Sequence, residues 1–112
     1  GDWYPGCEWN MTGTCSSMVV FPSALFAEIG GCDEGFVGWG GEDIALSHAL
    51  QTFGGGLHRI HGEVWHLWHP AAVHTHDDTW PERCEMYARA AYDKPAMRAL
   101  IDGLRADRSV SV

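Results

Sequence analysis

Basic residues are scarce in this chain of 112 residues, which has 7 lysines and arginines against 15 aspartates and glutamates. The formal net charge of -8 gives a surface that repels phosphate backbones, so we expect no nucleic-acid partner. Long apolar runs are also lacking. The run at residues 18–21 is far too short to cross a bilayer, and we expect no membrane span. No signal peptide opens the chain, and we expect a cytoplasmic protein.

Cysteine pairs of the Cys-x-x-Cys type are absent, which removes the usual signature of a zinc or redox site. The cysteines are scattered at Cys7, Cys15, Cys32 and Cys84. We expect four free thiols, because a domain of this size can build some core without disulfides. A loop closed by Cys7 and Cys15 is the alternative in an oxidising compartment.

The composition is that of a globular chain, with 46% hydrophobic and 20% charged residues. Apolar spacing and glycine punctuation predict a strand over residues 17–21, a short helix over 24–29 and an amphipathic helix over 42–53. Further along, they predict strands near 57–60 and 63–68 and two helices that follow a capping box at Thr79 and Glu82. This order of elements predicts an α/β or α+β fold.

Four glycines within residues 35–41 predict an irregular loop that bends sharply or lets a ligand approach the backbone. Glu42 and Asp43 follow directly, in the first turn of the predicted amphipathic helix, where unpaired amides favour negative charge. An acidic pair can simply cap a helix. The nearby Trp39 favours a second interpretation, because carboxylates bind sugar hydroxyls while an indole ring covers an apolar sugar face. One carboxylate could also accept a proton from an attacking hydroxyl.

Six of the seven histidines fall between residues 58 and 76. His66 and His69 could reach one cation only if the chain turns between them, which Pro70 favours. The density of histidines favours some metal site, but it does not select the ligands. The rival pairs are His58 with His61 and His74 with His76.

Three stretches together resemble the C-terminal half of glycosyltransferases with the GT-A fold: residues 30–34, the Gly-Trp-Gly-Gly-Glu-Asp motif at 38–43, and His-Leu-Trp-His-Pro at 66–70. The resemblance covers residues 13–70. It is closest to the C-terminal region of galactosyltransferases of the beta-1,4 type, with related family 2 and polypeptide N-acetylgalactosaminyltransferase enzymes. It implies an α/β fold in which a mixed sheet segment with flanking helices forms the C-terminal part of a GT-A domain. Residues 1–105 would be a partial catalytic domain, the acceptor-binding and metal-completing half, and 106–112 a disordered tail.

The resemblance implies an enzyme that moves a sugar from a nucleotide-diphosphate donor, expected to be a UDP-sugar, to a hydroxyl of a glycan or other acceptor. Asp43 would be the catalytic base of an inverting reaction. Glu42 would bind acceptor hydroxyls, and Trp39 would border both sugars, with Gly40 and Gly41 leaving room.

The resemblance also implies a divalent metal, expected to be Mn2+, that holds the donor diphosphate. His66 and His69 would complete its coordination, and Gly13 and Thr14 would lie against the donor sugar.

The sequence departs from the family pattern in two ways. Ile44 and Ala45 stand where galactosyltransferases of this type continue with acidic residues, and no Asp-x-Asp motif occurs anywhere in the chain. A missing N-terminal half or a partner chain would then supply the nucleotide pocket. The apolar strand predicted at 17–21 would expose an edge and favour self-association. The alternative function is a non-catalytic carbohydrate- or metal-binding module, or a remnant of an enzyme.

Overall fold

The described part of the protein is built from helices. A computed structural model describes residues 19–56, 58, 68, 70 and 75–110, with 106–110 given by their backbone alone. These residues contain four helices, α1 (Ser23–Ile29), α2 (Glu42–Gly54), α3 (Trp80–Ala90) and α4 (Lys94–Val110). Here α2 is the central element, because it packs against each of the other three. None of the helices in these ranges is long and apolar enough to cross a membrane.

The predicted α/β class is wrong. The described residues contain no strand, and their only sheet-like pairing is an isolated antiparallel bridge between Gly38 and His76. Helix packing therefore takes the place of the mixed sheet segment that the resemblance to GT-A enzymes implied. The strands predicted at 57–60 and 63–68 lie almost wholly outside the described residues.

The apolar run at residues 17–21 accounts for part of this error. Residues 19–21 have no regular structure and lead through Pro22 into α1. The ring of Phe21 lies 5.8 Å from that of Phe26 and packs against the helical core, whereas Val20 is 87% exposed. The run is thus divided between a helical core and the surface. The open strand edge behind the predicted self-association is not found at residues 19–21.

The core forms where α2 meets the other helices. Ala45 and Ala49 of α2 are almost fully buried, and their small side chains let the neighbouring helices approach closely. The predicted apolar stripe of α2 is confirmed, with Leu46 and Phe53 partly buried at its margins. Each large side chain buried here contributes about 1.5–3 kcal/mol. The core residues are Ile29, Ala45, Ala49, Leu50, Tyr87, Ala90, Met97 and Ile101.

Two arginines of α4 tie that helix to the end of α1. Arg98 Nη2 donates a hydrogen bond to the carbonyl oxygen of Glu28 at 2.9 Å. Arg105 Nη2 donates to the carbonyl oxygen of Ala27 at 3.0 Å. Helix α1 ends at Ile29, with Gly30 as its C-cap as predicted, and the Ala27 carbonyl also accepts the Gly30 amide at 3.1 Å. The arginines add hydrogen bonds to the last carbonyls of α1 and lend favourable charge there.

The start of α3 differs from the prediction. Thr79 is the N-cap residue, but its side chain does not cap the helix. Its hydroxyl donates to Asp77 Oδ1 at 2.6 Å, so the predicted capping box with Glu82 does not form. At the other end of the chain, the backbone of α4 stays helical to Val110, beyond residue 105, where the sequence predicted the tail to begin.

His48 makes the stability of the helical core depend on pH. It lies in α2, and its Nδ1 is buried without a hydrogen-bond partner among the described residues. Burial lowers the pKa of His48 below its ordinary value of 6.5, because a charged ring loses hydration there. The unfolded chain therefore takes up this proton more readily than the folded one. We expect the free energy of unfolding to fall as the pH drops below 6.5 and to keep its full value above it.

The variant His48→Gln isolates this effect. Urea denaturation of both proteins between about pH 7 and pH 5 should show a smaller loss of stability in the variant, because glutamine does not titrate. Carboxylates contribute equally to both curves and cancel in the difference. Parallel pH curves would show that His48 is not the source of the loss.

Candidate functional site

The Gly-Trp-Gly-Gly-Glu-Asp motif at residues 38–43 forms the turn that leads into α2. A short extended segment just before α3 holds this turn in place. The amide of Trp39 donates to the carbonyl oxygen of Thr75 at 2.7 Å, and the amide of Asp77 donates to that of Val37 at 3.4 Å. The turn is therefore fixed by backbone hydrogen bonds between two distant parts of the sequence.

Close packing explains two of the glycines. Gly38 has φ 97°, and a Cβ there would overlap the backbone of Thr75 and lie 2.6 Å from the Cα of His76. Gly41 has φ 94°, and a Cβ there would lie 2.7 Å from both the Phe36 ring and Trp80 Nε1. Only glycine fits these positions, because the neighbouring atoms fill the space that a side chain would need.

Trp80 closes one side of the turn. Its Nε1 donates to the carbonyl oxygen of Gly40 at 3.0 Å, across 40 residues of sequence. The ring of His76 stacks on the indole at 4.3 Å with an interplanar angle of 12°. The sequence did not predict a role for Trp80, and it predicted His76 only as a candidate metal ligand. No local pattern connects either residue with the glycines.

The three side chains predicted to handle sugars are all exposed, within five residues of each other in and after this turn. Trp39 is 55% exposed, and Glu42 and Asp43 are exposed in the first turn of α2. Asp43 Oδ1 accepts a hydrogen bond from the amide of Ile44 at 2.9 Å. No ion pair within the described residues uses either carboxylate. The carboxylate oxygens can therefore accept hydrogen bonds from hydroxyls, beside an indole that can cover an apolar face.

Gly40 and Gly41 were both expected to leave room for sugars, but they differ in the space beside them. A Cβ at Gly40 would meet no described atom within 4 Å, so the space beside this residue is open. At Gly41 the corresponding space is filled by Phe36 and Trp80. Among the described residues nothing blocks the approach to the backbone at Gly40, whereas Gly41 serves the packing of the turn.

Cys84 shows that α3 faces the first turn of α2. Burial raises the pKa of the Cys84 thiol, and the nearby carboxylate of Asp43 raises it further. Cys84 and Cys32 are both free thiols, as predicted. Cys7 and Cys15 lie outside the described residues.

The described residues do not provide the predicted metal centre. They contain no group of three or more histidine, cysteine, aspartate or glutamate side chains that could hold an ion. The expected ligands His66 and His69 lie outside the described residues, as do Gly13 and Thr14, the expected contacts of the donor sugar. These four assignments stay predictions from the sequence.

A buried polar cluster beneath the turn was not predicted. Asp33 lies at the start of the glycine-rich loop, and its side chain is 3% exposed. It accepts hydrogen bonds from the hydroxyl of Tyr87 at 2.9 Å and from Arg83 at 3.4 Å, both on α3. In the sequence, Asp33 stands out only as part of the stretch at 30–34, because partners 50 and 54 residues away leave no local pattern.

The turn and the start of α2 thus carry an exposed indole and two exposed carboxylates. Comparison with known proteins indicates the family of the chain. A family model described as the N-terminal domain of galactosyltransferase matches residues 4–72, and the chain belongs to this galactosyltransferase family. The predicted glycosyltransferase class is thereby confirmed, whereas its placement in the C-terminal half of the enzyme is not.

Two curated relatives match a shorter stretch. Both are named validoxylamine A glucosyltransferase, one from Streptomyces hygroscopicus subsp. jinggangensis (strain 5008) and one from Streptomyces hygroscopicus subsp. limoneus. Each is 53% identical over 36 residues, which make up 32% of this chain and 8% of the relative. The chain thus matches only a small part of their length. No solved structure matches the chain.

Gly38 and Gly40 together give a test of how the turn is held. Both Gly38→Ala and Gly40→Ala place alanine at a positive φ, of 97° and 81°, which costs about 1–2 kcal/mol in either variant. Only the methyl group at position 38 also meets backbone atoms, which cannot rotate away. We expect Gly38→Ala to lose at least about 1 kcal/mol more than Gly40→Ala in urea denaturation. Equal losses would show that the contact with residues 75–76 does not fix the turn.

Proposed function

We propose that this chain carries the acceptor side of a glycosyltransferase site. In this proposal a sugar passes from a nucleotide-diphosphate donor, a UDP-sugar, to a hydroxyl of the acceptor. The observation that carries the proposal is the joint exposure of Trp39, Glu42 and Asp43 on one rigid turn, in a chain of the galactosyltransferase family. The indole would cover the apolar face of the acceptor while the carboxylates bind its hydroxyls.

The two carboxylates take different roles in the proposed reaction. Asp43 removes the proton from the attacking hydroxyl, which makes that oxygen a better nucleophile as the donor bond breaks. Glu42 accepts hydrogen bonds from other hydroxyls and holds the ring in place. The open space beside Gly40 lets the sugar approach the backbone. A direct displacement by the activated hydroxyl inverts the configuration at the transferred sugar.

The first donors and acceptor to test follow from the comparisons. The family description points to galactose and the printed name of the relatives to glucose, so UDP-galactose and UDP-glucose are the donors of choice. Validoxylamine A, which the same name contains, is the first acceptor. Because the match spans only 8% of those relatives, the assay should use the protein as it is expressed from its own gene.

Asp43→Asn tests the role of the base. Asparagine keeps the shape of the side chain but accepts no proton, so we expect the rate of transfer to fall about 10²–10⁴-fold with little change in acceptor binding. Asp102→Asn is the matched control. It removes an exposed carboxylate of α4 that pairs with Arg98, at 3.4 Å, and should leave the rate unchanged.

Two outcomes would contradict this mechanism. If transfer by Asp43→Asn matches that of the control, Asp43 is not the base. If the wild-type protein binds sugars but transfers none, the alternative of a carbohydrate-binding module is correct.

The same proposal includes a divalent metal, expected to be Mn2+, that offsets negative charge on the departing diphosphate. His66 would be a ligand, with His69 as the second candidate, and the described residues add no metal-binding group of their own. Chelation should therefore abolish transfer and added Mn2+ should restore it. His66→Ala should require more Mn2+ for half-maximal activity than the wild type. Full activity after chelation would contradict a metal role.

A further inference from the structure

We propose that Asp33 is a positioning residue for the transfer site, acting through Arg83 and Phe36 on the turn that carries Glu42 and Asp43. The inference rests on the proposed function, because it assigns what holds that site in place. It concerns residues to which neither the sequence patterns nor the comparisons give a role.

Asp33 connects the glycine-rich loop to α3. Its Oδ1 accepts a hydrogen bond from the amide of Gly35 at 2.8 Å, on the loop side. Its Oδ2 accepts hydrogen bonds from the hydroxyl of Tyr87 at 2.9 Å and from Arg83 Nη1 at 3.4 Å, on the helix side. Because the side chain of Asp33 is 3% exposed, little water is available to replace these donors.

Arg83 links Asp33 to the residues that pack against the turn. Its guanidinium lies against Gly35, where a Cβ would come within 2.5 Å of Nη1, and 5.7 Å from the centre of the Phe36 ring. The Phe36 ring also lies against Gly41, where a Cβ would lie 2.7 Å away, and its centre is 6.2 Å from that of the Tyr87 ring. Gly41 is the N-cap of α2, so the carboxylates of the site begin at the next residue.

Arg83 keeps these contacts although one of its polar atoms is unsatisfied within the described part of the chain. Its Nε is buried without a hydrogen-bond partner among the described residues, which is unfavourable for the folded state. Asp33 and Phe36 hold the guanidinium in place despite this cost. Catalysis is sensitive to such placement, since a displacement of about 1 Å in a reacting group can lower the rate about 10²-fold.

Two variants and a matched control test the proposal. Arg83→Met keeps an unbranched side chain but removes the charge, and Asp33→Asn keeps the shape of the carboxylate. Arg98→Met is the control, because Arg98 also lies over a phenylalanine ring, at 4.7 Å from the centre of Phe53, and also joins two helices. Arg98 makes no described contact with the glycine-rich loop.

In the protein expressed from its own gene, we expect Arg83→Met to lower kcat for transfer at least about tenfold, with a smaller change in the acceptor KM. Asp33→Asn should act in the same direction. Arg98→Met should lower thermal stability without lowering kcat. Equal kcat values for Arg83→Met and Arg98→Met, at similar losses of stability, would overturn the proposal.

A readout that needs no sugar separates this inference from the proposed function. Alkylation of Cys84 at a series of pH values, quantified by mass spectrometry of its peptide, reports the pKa of this thiol, which burial and then the Asp43 carboxylate raise. If Arg83→Met lets the turn move away, the pKa of Cys84 should fall towards that in Asp43→Asn. Loss of the arginine cation alone would shift this pKa in the opposite direction.

The two readouts then give distinct results. A protein without transfer activity in which Arg83→Met lowers the Cys84 pKa would refute the proposed function and support the positioning role. An active protein in which neither kcat nor this pKa changes would support the function and refute the positioning role.

Discussion

The contact of Gly41 with the Phe36 ring and Trp80 is the constraint on which the candidate site depends. A Cβ at this position would lie 2.7 Å from both neighbours, so the chain can pass between them only as glycine. Because α2 begins at the next residue, the same contact fixes where its first turn starts and therefore where Glu42 and Asp43 lie. The acidic pair is held by packing on one side and meets solvent on the other.

The rest of the described structure supports this contact. Helix α3 contributes Trp80, whose indole donates a hydrogen bond to the carbonyl of Gly40. One turn later, the same helix contributes Arg83, which forms an ion pair with Asp33. Helix α4 packs against both α2 and α3, and its arginines fix the end of α1. The exposed carboxylates thus follow directly after the glycine-rich loop, whereas Phe36, Trp80 and Arg83, which support this loop, are partly buried.

Local patterns predicted the parts of the fold that local forces determine. The apolar stripe and the flanking glycines predicted the bounds of α2 to within one residue at each end. The motif singled out Trp39, Glu42 and Asp43, and all three are exposed in the structure. Part of the error in fold class came from treating the apolar run at 17–21 as a strand, when its described residues have no regular structure and Phe21 packs on helices. Contacts that span 40 residues or more, such as Trp80 with Gly40 and Tyr87 with Asp33, follow from packing and leave no periodic signal.

A crystal structure of the complete gene product with an acceptor sugar bound would test the central claim most directly. Our account predicts that the sugar ring lies flat against Trp39, with one hydroxyl within hydrogen-bond distance of an Asp43 carboxylate oxygen and another near Glu42. A sugar bound elsewhere, with Trp39 and both carboxylates still facing solvent, would contradict the claim that this turn forms the acceptor site.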